Sequence, residues 1–164
     1  MKRFLTLITL VATLQAGCSA IVTRPDVRLQ KISPSSLDTS GIDLEVNLLV
    51  TNPNSFDLTL LGYSYALSLA STPVASGGVR QKVVFAGKKE TVLKIPTRVR
   101  HGSVVELLKK KPDLNHLPYS LEAGLQIDSP IGELSVPINA EGDFAVPENY
   151  RPSSVLHRLK GIFR

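Results

Sequence analysis

In residues 42–51, apolar and polar side chains alternate almost without a fault. Leu44, Val46, Leu48 and Val50 point one way, and Asp43, Glu45 and Asn47 point the other. A side-chain period of two belongs to extended backbone, so this segment can bury its apolar side only as a β-strand lying on a core. The same period recurs along most of the chain. Residues 26–32 form a first candidate strand, ended by Ser33-Pro34-Ser35-Ser36. In 58–69, Tyr63, Tyr65, Leu67 and Leu69 oppose Ser64 and Ser68, and Thr72-Pro73 with Ser76-Gly77-Gly78 then reads as a turn region. Residues 80–85 and 91–99 are two further strands, joined through Ala86-Gly87-Lys88-Lys89. Tyr119, Leu121, Ala123, Leu125 and Ile127 line one face of a strand, and Leu134, Val136 and Ile138 line the next. Between them Asp128-Ser129-Pro130-Ile131-Gly132 is hairpin chemistry. Glu141-Gly142-Asp143 is expected to turn the chain into a last strand over 144–146.

One helix interrupts this pattern. Ser103 caps a short segment over 104–111 in which Val104, Leu107 and Leu108 have helical spacing, and Pro112 ends it. Seven to eight short strands at this spacing predict a mainly β protein: an antiparallel β-sandwich with one short crossover helix. With 43% apolar and 20% charged residues, the chain has the composition of a packed domain rather than a disordered one.

The start of the chain follows a different rule. Lys2 and Arg3 precede an uncharged apolar run over 4–14, and small residues then lead to Cys18, the single cysteine. That is the layout of a secretory signal, since eleven apolar residues are too few to span a bilayer core. Leu14-Gln15-Ala16-Gly17-Cys18 resembles a bacterial lipobox, in which the cysteine becomes the acylated first residue of the mature protein. Gln15 departs from the pattern by standing where Leu is usual, with Leu14 one position early. An ordinary secretory signal with an incidental Cys18 is the alternative. The expected organisation is a signal peptide over 1–17, a lipidated tether over 18–25, a sandwich over 26–147 and a basic tail over 148–164. Ser19 follows the cysteine, which by the usual sorting pattern resembles an outer-membrane lipoprotein facing the periplasm. Losing Lys2 and Arg3 lowers the net charge from +5 to about +3, too mild a balance for a nucleic-acid binder.

Asn52-Pro53-Asn54 ends the strand over 42–51. Proline donates no ladder hydrogen bond, and asparagine side chains bond nearby backbone, so the tripeptide is a strand terminator in its own right. Its surroundings carry more. Leu37, the run Val50-Thr51-Asn52-Pro53-Asn54-Ser55-Phe56-Asp57-Leu58, then Gly62-Tyr63, Tyr65 and Ala75-Ser76-Gly77 follow in order. Phe85-Ala86-Gly87, Thr91-Val92-Leu93 and the closing Glu141-Gly142-Asp143-Phe144-Ala145-Val146-Pro147 complete the series. Over roughly 27–147 this resembles the late-embryogenesis-abundant type 2 domain, also called WHy for water stress and hypersensitive response. The resemblance implies an immunoglobulin-like or fibronectin type III-like sandwich, a link to desiccation and other stress, and no catalytic residues.

The residues themselves argue against an enzyme. His101, His116 and His157 lack metal-ligand spacing, no phosphate loop or nucleophile elbow is present, and no cofactor is expected. The leading expectation is a non-catalytic, membrane-tethered protein protective in water stress, contacting partly unfolded proteins or anionic lipid. The alternative is an envelope adaptor docked on another membrane complex, with Phe56, Leu58 and Leu61 among its contact residues. The tail bears on both. Val155, Leu156, Leu159, Ile162 and Phe163 form an apolar helical stripe flanked by Arg151, Arg158, Lys160 and Arg164. Such a helix either lies on an anionic membrane or packs on the sandwich.

Overall fold

The computed structural model describes residues 22–38 and 40–151. In chain order these form β1 (Asp26–Asp38), β2 (Gly41–Thr51), β3 (Leu58–Leu69), β4 (Thr72–Val79), β5 (Val83–Phe85), β6 (Glu90–Arg100), α1 (His101–Lys109), β7 (Leu117–Ser129) and β8 (Gly132–Phe144), followed by a 3-10 turn over Glu148–Tyr150. One antiparallel sheet has the order β1-β2-β6, and the other β4-β3-β7-β8. β5 pairs with the start of β3, on the edge that β4 occupies further along. A single apolar core joins both sheets. Leu48, Val50, Leu58, Leu60, Phe85 and Leu125 within it are fully shielded from solvent.

The alternation in 42–51 is realised in β2, where Leu44, Val46, Leu48 and Val50 are all buried. β3 is subtler, because Leu58 and Leu60 point inward and so do Tyr63, Leu67 and Leu69. The change from even to odd positions needs an extra residue. The register against β7 slips between Leu60 and Gly62, leaving Leu61 as a bulge that resets the inward face.

Five sequence expectations need correction. β1 does not stop at Ser33 but runs to Asp38, with slips against β2 at Gln30 and Ser35. It is an edge strand, where Pro34 beside a bulge costs little because one side of the strand has no ladder to lose. The region around Thr72-Pro73 and Ser76-Gly77-Gly78 is not a turn but β4. The turn is Ala70-Ser71, both in the left-handed region with φ of 45° and 56°. Likewise Glu141-Gly142-Asp143 does not turn but continues β8 to Phe144, so 144–146 is not a separate strand. Gly77 and Gly142 share one explanation. Each lies directly across from a tyrosine, Tyr65 and Tyr119, and a Cβ there would come within 3.1 Å and 2.8 Å of the phenol oxygens. The glycines mark ring contacts across a ladder rather than bends. Finally, α1 starts at His101 with Arg100 as an N-cap that makes no side-chain bond, so Ser103 lies inside the first turn. The strand expected over 80–85 is only Val83–Phe85. The hairpin over 128–132 forms as read, with Ser129 pairing Gly132 and its hydroxyl donating to the Gly132 carbonyl at 2.7 Å.

These registers sort the connections onto two opposite ends. One end holds 22–25, the loop 52–57, the turn 86–89 and the Pro130-Ile131 hairpin tip. The other holds Ser40, the Ala70-Ser71 turn, α1 and the segment 145–151.

Candidate functional site

Pro53 stops the ladder, and the two flanking amides turn inward. Asn52 is completely buried and Asn54 nearly so. The Asn52 side chain donates to the carbonyls of Phe56 (2.9 Å) and Phe85 (2.8 Å). Its oxygen accepts from the backbone N–H and the side-chain amide of Asn54, at 3.0 and 2.9 Å. All the hydrogen-bonding capacity of that amide is thus used inside the protein. Asn54 then reaches across to the N-terminal segment. Its oxygen accepts the Thr23 N–H at 2.8 Å, and its NH2 donates to the Thr23 carbonyl at 2.7 Å, so one side chain holds both backbone groups of a residue thirty-one positions away.

The turn 86–89 closes the other side. The Lys88 N–H donates to the Asn54 carbonyl at 2.8 Å, the Lys88 ammonium donates to the Pro53 carbonyl, and the Gly87 N–H donates to Asp57 Oδ1 at 2.9 Å. Gly87 is required by closeness, since a Cβ there would stand 2.8 Å from the Ser55 carbonyl carbon. The arrangement ties three chain segments together and presents amides that are already satisfied. The two amides hold structure and are themselves neither nucleophiles nor titratable, and the Asp57 and Lys88 side chains beside them are engaged with backbone groups. Its reach to Thr23 was not visible in the sequence, because no local pattern links positions so far apart.

The remaining candidate residues fall elsewhere. Cys18, Leu156, Arg158, Leu159, Lys160, Phe163 and Arg164 lie outside the described residues. Arg151 lies at the opposite end from Thr23; its guanidinium donates to the Val146 carbonyl at 2.9 Å and to Asn115 Oδ1 at 2.8 Å. Leu58 is fully buried in the core and so is not a contact residue, whereas Phe56 is half-buried and packs against that core. Among the described residues no group of three or more His, Cys, Asp or Glu is placed to hold a metal ion, and no helix is long and apolar enough to cross a membrane.

The end that bears Arg151 has two features of its own. An apolar groove of about 80 Å³ opens between the sheets and α1, with Leu44, Val104, Leu108, Phe144 and Tyr150 among its walls. Nearby, Arg98 bridges Asp38 and Asp43, at 2.6 and 2.8 Å. The hydrogen bonds from Arg98, and then those from Ser40, hold the Asp38 carboxyl well below the usual carboxylate range. A lowered carboxylate contributes stability that is complete above its unfolded value near 3.9 and is lost as pH falls below it. The stability difference between wild type and Asp38→Asn is therefore expected to be largest near neutral pH and to shrink between about pH 4 and 2. Thermal melts across that range check this; a difference that widens toward acid would contradict the assignment. The group is exposed, so the effect is small.

The comparisons with known proteins agree with this framework. The family model for late embryogenesis abundant proteins of type 2 matches residues 47–142. A desiccation-related protein of Arabidopsis thaliana is 26% identical over 129 residues, covering 78% of each chain. The late embryogenesis abundant protein Lea14-A of Gossypium hirsutum is 25% identical over 129 residues, covering 78% of this chain and 85% of its own. A solution structure of an Arabidopsis thaliana protein superposes with a TM-score of 0.69 at 22% identity, covering 84% of this chain and 91% of that one. The matched stretch contains Asn52-Pro53-Asn54, both tyrosine–glycine pairs and all of β3 to β7, and the chain belongs to the late embryogenesis abundant type 2 family.

Proposed function

We propose that this protein is a non-catalytic lipoprotein of the bacterial cell envelope that protects membranes or envelope proteins during water stress. The observation that carries the reading is the family match over most of the sandwich, with relatives named for desiccation. The fold is taken as immunoglobulin-like or fibronectin type III-like, with an amphipathic C-terminal helix over the tail. Cys18 is the acylated residue, and the outer membrane facing the periplasm is its site. Because Thr23 is held by Asn54, only four residues, 19–22, separate Cys18 from the folded body, a reach of about 18 Å when fully extended. A folded sandwich works through its surface, contacting partly unfolded protein or anionic lipid.

A strain lacking the gene is expected to survive drying and rewetting less well than wild type. Restoring the wild-type gene should recover survival, and Cys18→Ser should not. Equal survival of the deletion strain would remove the protective role, and full rescue by Cys18→Ser would remove the need for the tether. Crosslinking in intact cells adds a second readout: one stoichiometric partner would replace protection by the adaptor reading.

A further inference from the structure

We propose that the apolar groove at the α1 end is the docking site of this chain's own tail, residues 152–164. Three observations point to that occupant. First, the tail begins at the groove: Tyr150 is part of its wall, and Arg151 is pinned beside it through Val146 and Asn115, so no linker is needed. Second, the groove offers what the tail lacks a partner for. Its lining is apolar, drawn from β2, α1, β8 and the segment after it, and the tail pattern places Val155, Leu156, Leu159, Ile162 and Phe163 on one helical side. Third, the competing site is out of reach. The N-terminal segment leaves from the opposite end, and β7 and β8, each 13 residues long, put about 43 Å between the two ends. A helix over 153–164 spans about 18 Å. With the sandwich standing on its N-terminal end, it cannot lie on the surface to which Thr23 leads while its first residues stay at the groove.

Charge agrees in part. The tail has no acidic residue, and Glu106, Asp113, Asp143 and Glu148, all exposed, neighbour groove-lining positions in sequence. Lys109, Lys110 and Lys111 at the end of α1 oppose them, so the apolar fit is the stronger argument.

The test uses the chain without its first 18 residues, which precede every described residue and include Cys18. Ending it after Arg151 should lower the melting temperature by roughly 5–10 °C and raise the fluorescence of added anilinonaphthalene sulfonate, as covered apolar surface becomes exposed. Leu156→Glu with Leu159→Glu in the full tail should do the same. Because this chain then has no native cysteine, Leu108→Cys can be paired with a single cysteine in the tail. Oxidation should join Cys at 156 or 159 within one chain, and should not join Cys at 158 or 160. Unchanged melting and dye fluorescence in both tail variants, or crosslinking without preference between the two sides, would overturn the proposal. Loss of binding to anionic vesicles on truncation, with unaltered melting, would overturn it in favour of a membrane-bound tail.

Discussion

Asn52→Ala is expected to destabilise the domain by about 3–5 kcal/mol, measured by urea unfolding. The substitution removes four hydrogen bonds at a completely buried position. It strands the carbonyls of Phe56 and Phe85 and the N–H of Asn54, and each buried group left without a partner costs about 1–3 kcal/mol. Against a total of about 5–15 kcal/mol, that is a large share. Asn52→Asp separates this explanation from a simple loss of packing. It keeps the acceptor that Asn54 uses but turns an oxygen toward two carbonyl oxygens. The aspartate is therefore expected to be as damaging as alanine at neutral pH and partly recovered in acid, where a protonated carboxyl can donate again. A cost below about 1 kcal/mol for Asn52→Ala would show that water readily replaces the amide.

Gly41→Ala is expected to cost about 3 kcal/mol, because the backbone there, with φ of 158°, is one that residues with a side chain rarely adopt and because a Cβ has no room. A Cβ at Gly41 would lie 2.1 Å from the Val99 carbonyl oxygen, 3.1 Å from its carbon and 3.2 Å from the Arg100 Cα. All three neighbours are backbone, so no side chain can swing aside. Gly41 also pairs with Arg100 at the last rung of the β2–β6 ladder and donates its N–H to Asp38 at 3.0 Å. Relief therefore requires that rung to open, and amide exchange should quicken at Gly41 and Ile42 while Leu48 stays protected. Wild-type exchange at Ile42 in the variant would mean that the backbone shifts as a unit instead.

What could be read in the sequence follows from what each interaction looks like along a chain. Burial of one strand face writes a period of two, so β2, β7 and β8 were visible in their apolar positions. The bulges at Gln30, Ser35 and Leu61 break that period by one residue each and look like noise until the partner strand is known. Glycine and proline misled in a consistent direction. Gly77 and Gly142 resemble turn residues, but their lack of a side chain makes room for Tyr65 and Tyr119 on the neighbouring strand. The real turn, Ala70-Ser71, has neither the glycine nor the asparagine that a left-handed pair favours, and the cost of that backbone is met by the pairing of β3 with β4 on either side. Asn52-Pro53-Asn54 was legible as a strand terminator. Its grip on Thr23 and on the turn bearing Lys88 depends on contacts about thirty residues apart, which a single sequence does not display.

The hold of Asn54 on Thr23 also has a mechanical side. A force entering through the residues ahead of Thr23 meets that amide first, before any strand is loaded. Should the clasp yield, the pull passes to Asp26 and along the axis of β1, whose partner rungs run from Thr51 to Gly41 on β2. Tension in that direction loads the rungs together, in shear, instead of opening them one at a time like a zipper. Any load applied through the N-terminal segment is thus directed along the axis in which a β-ladder resists best.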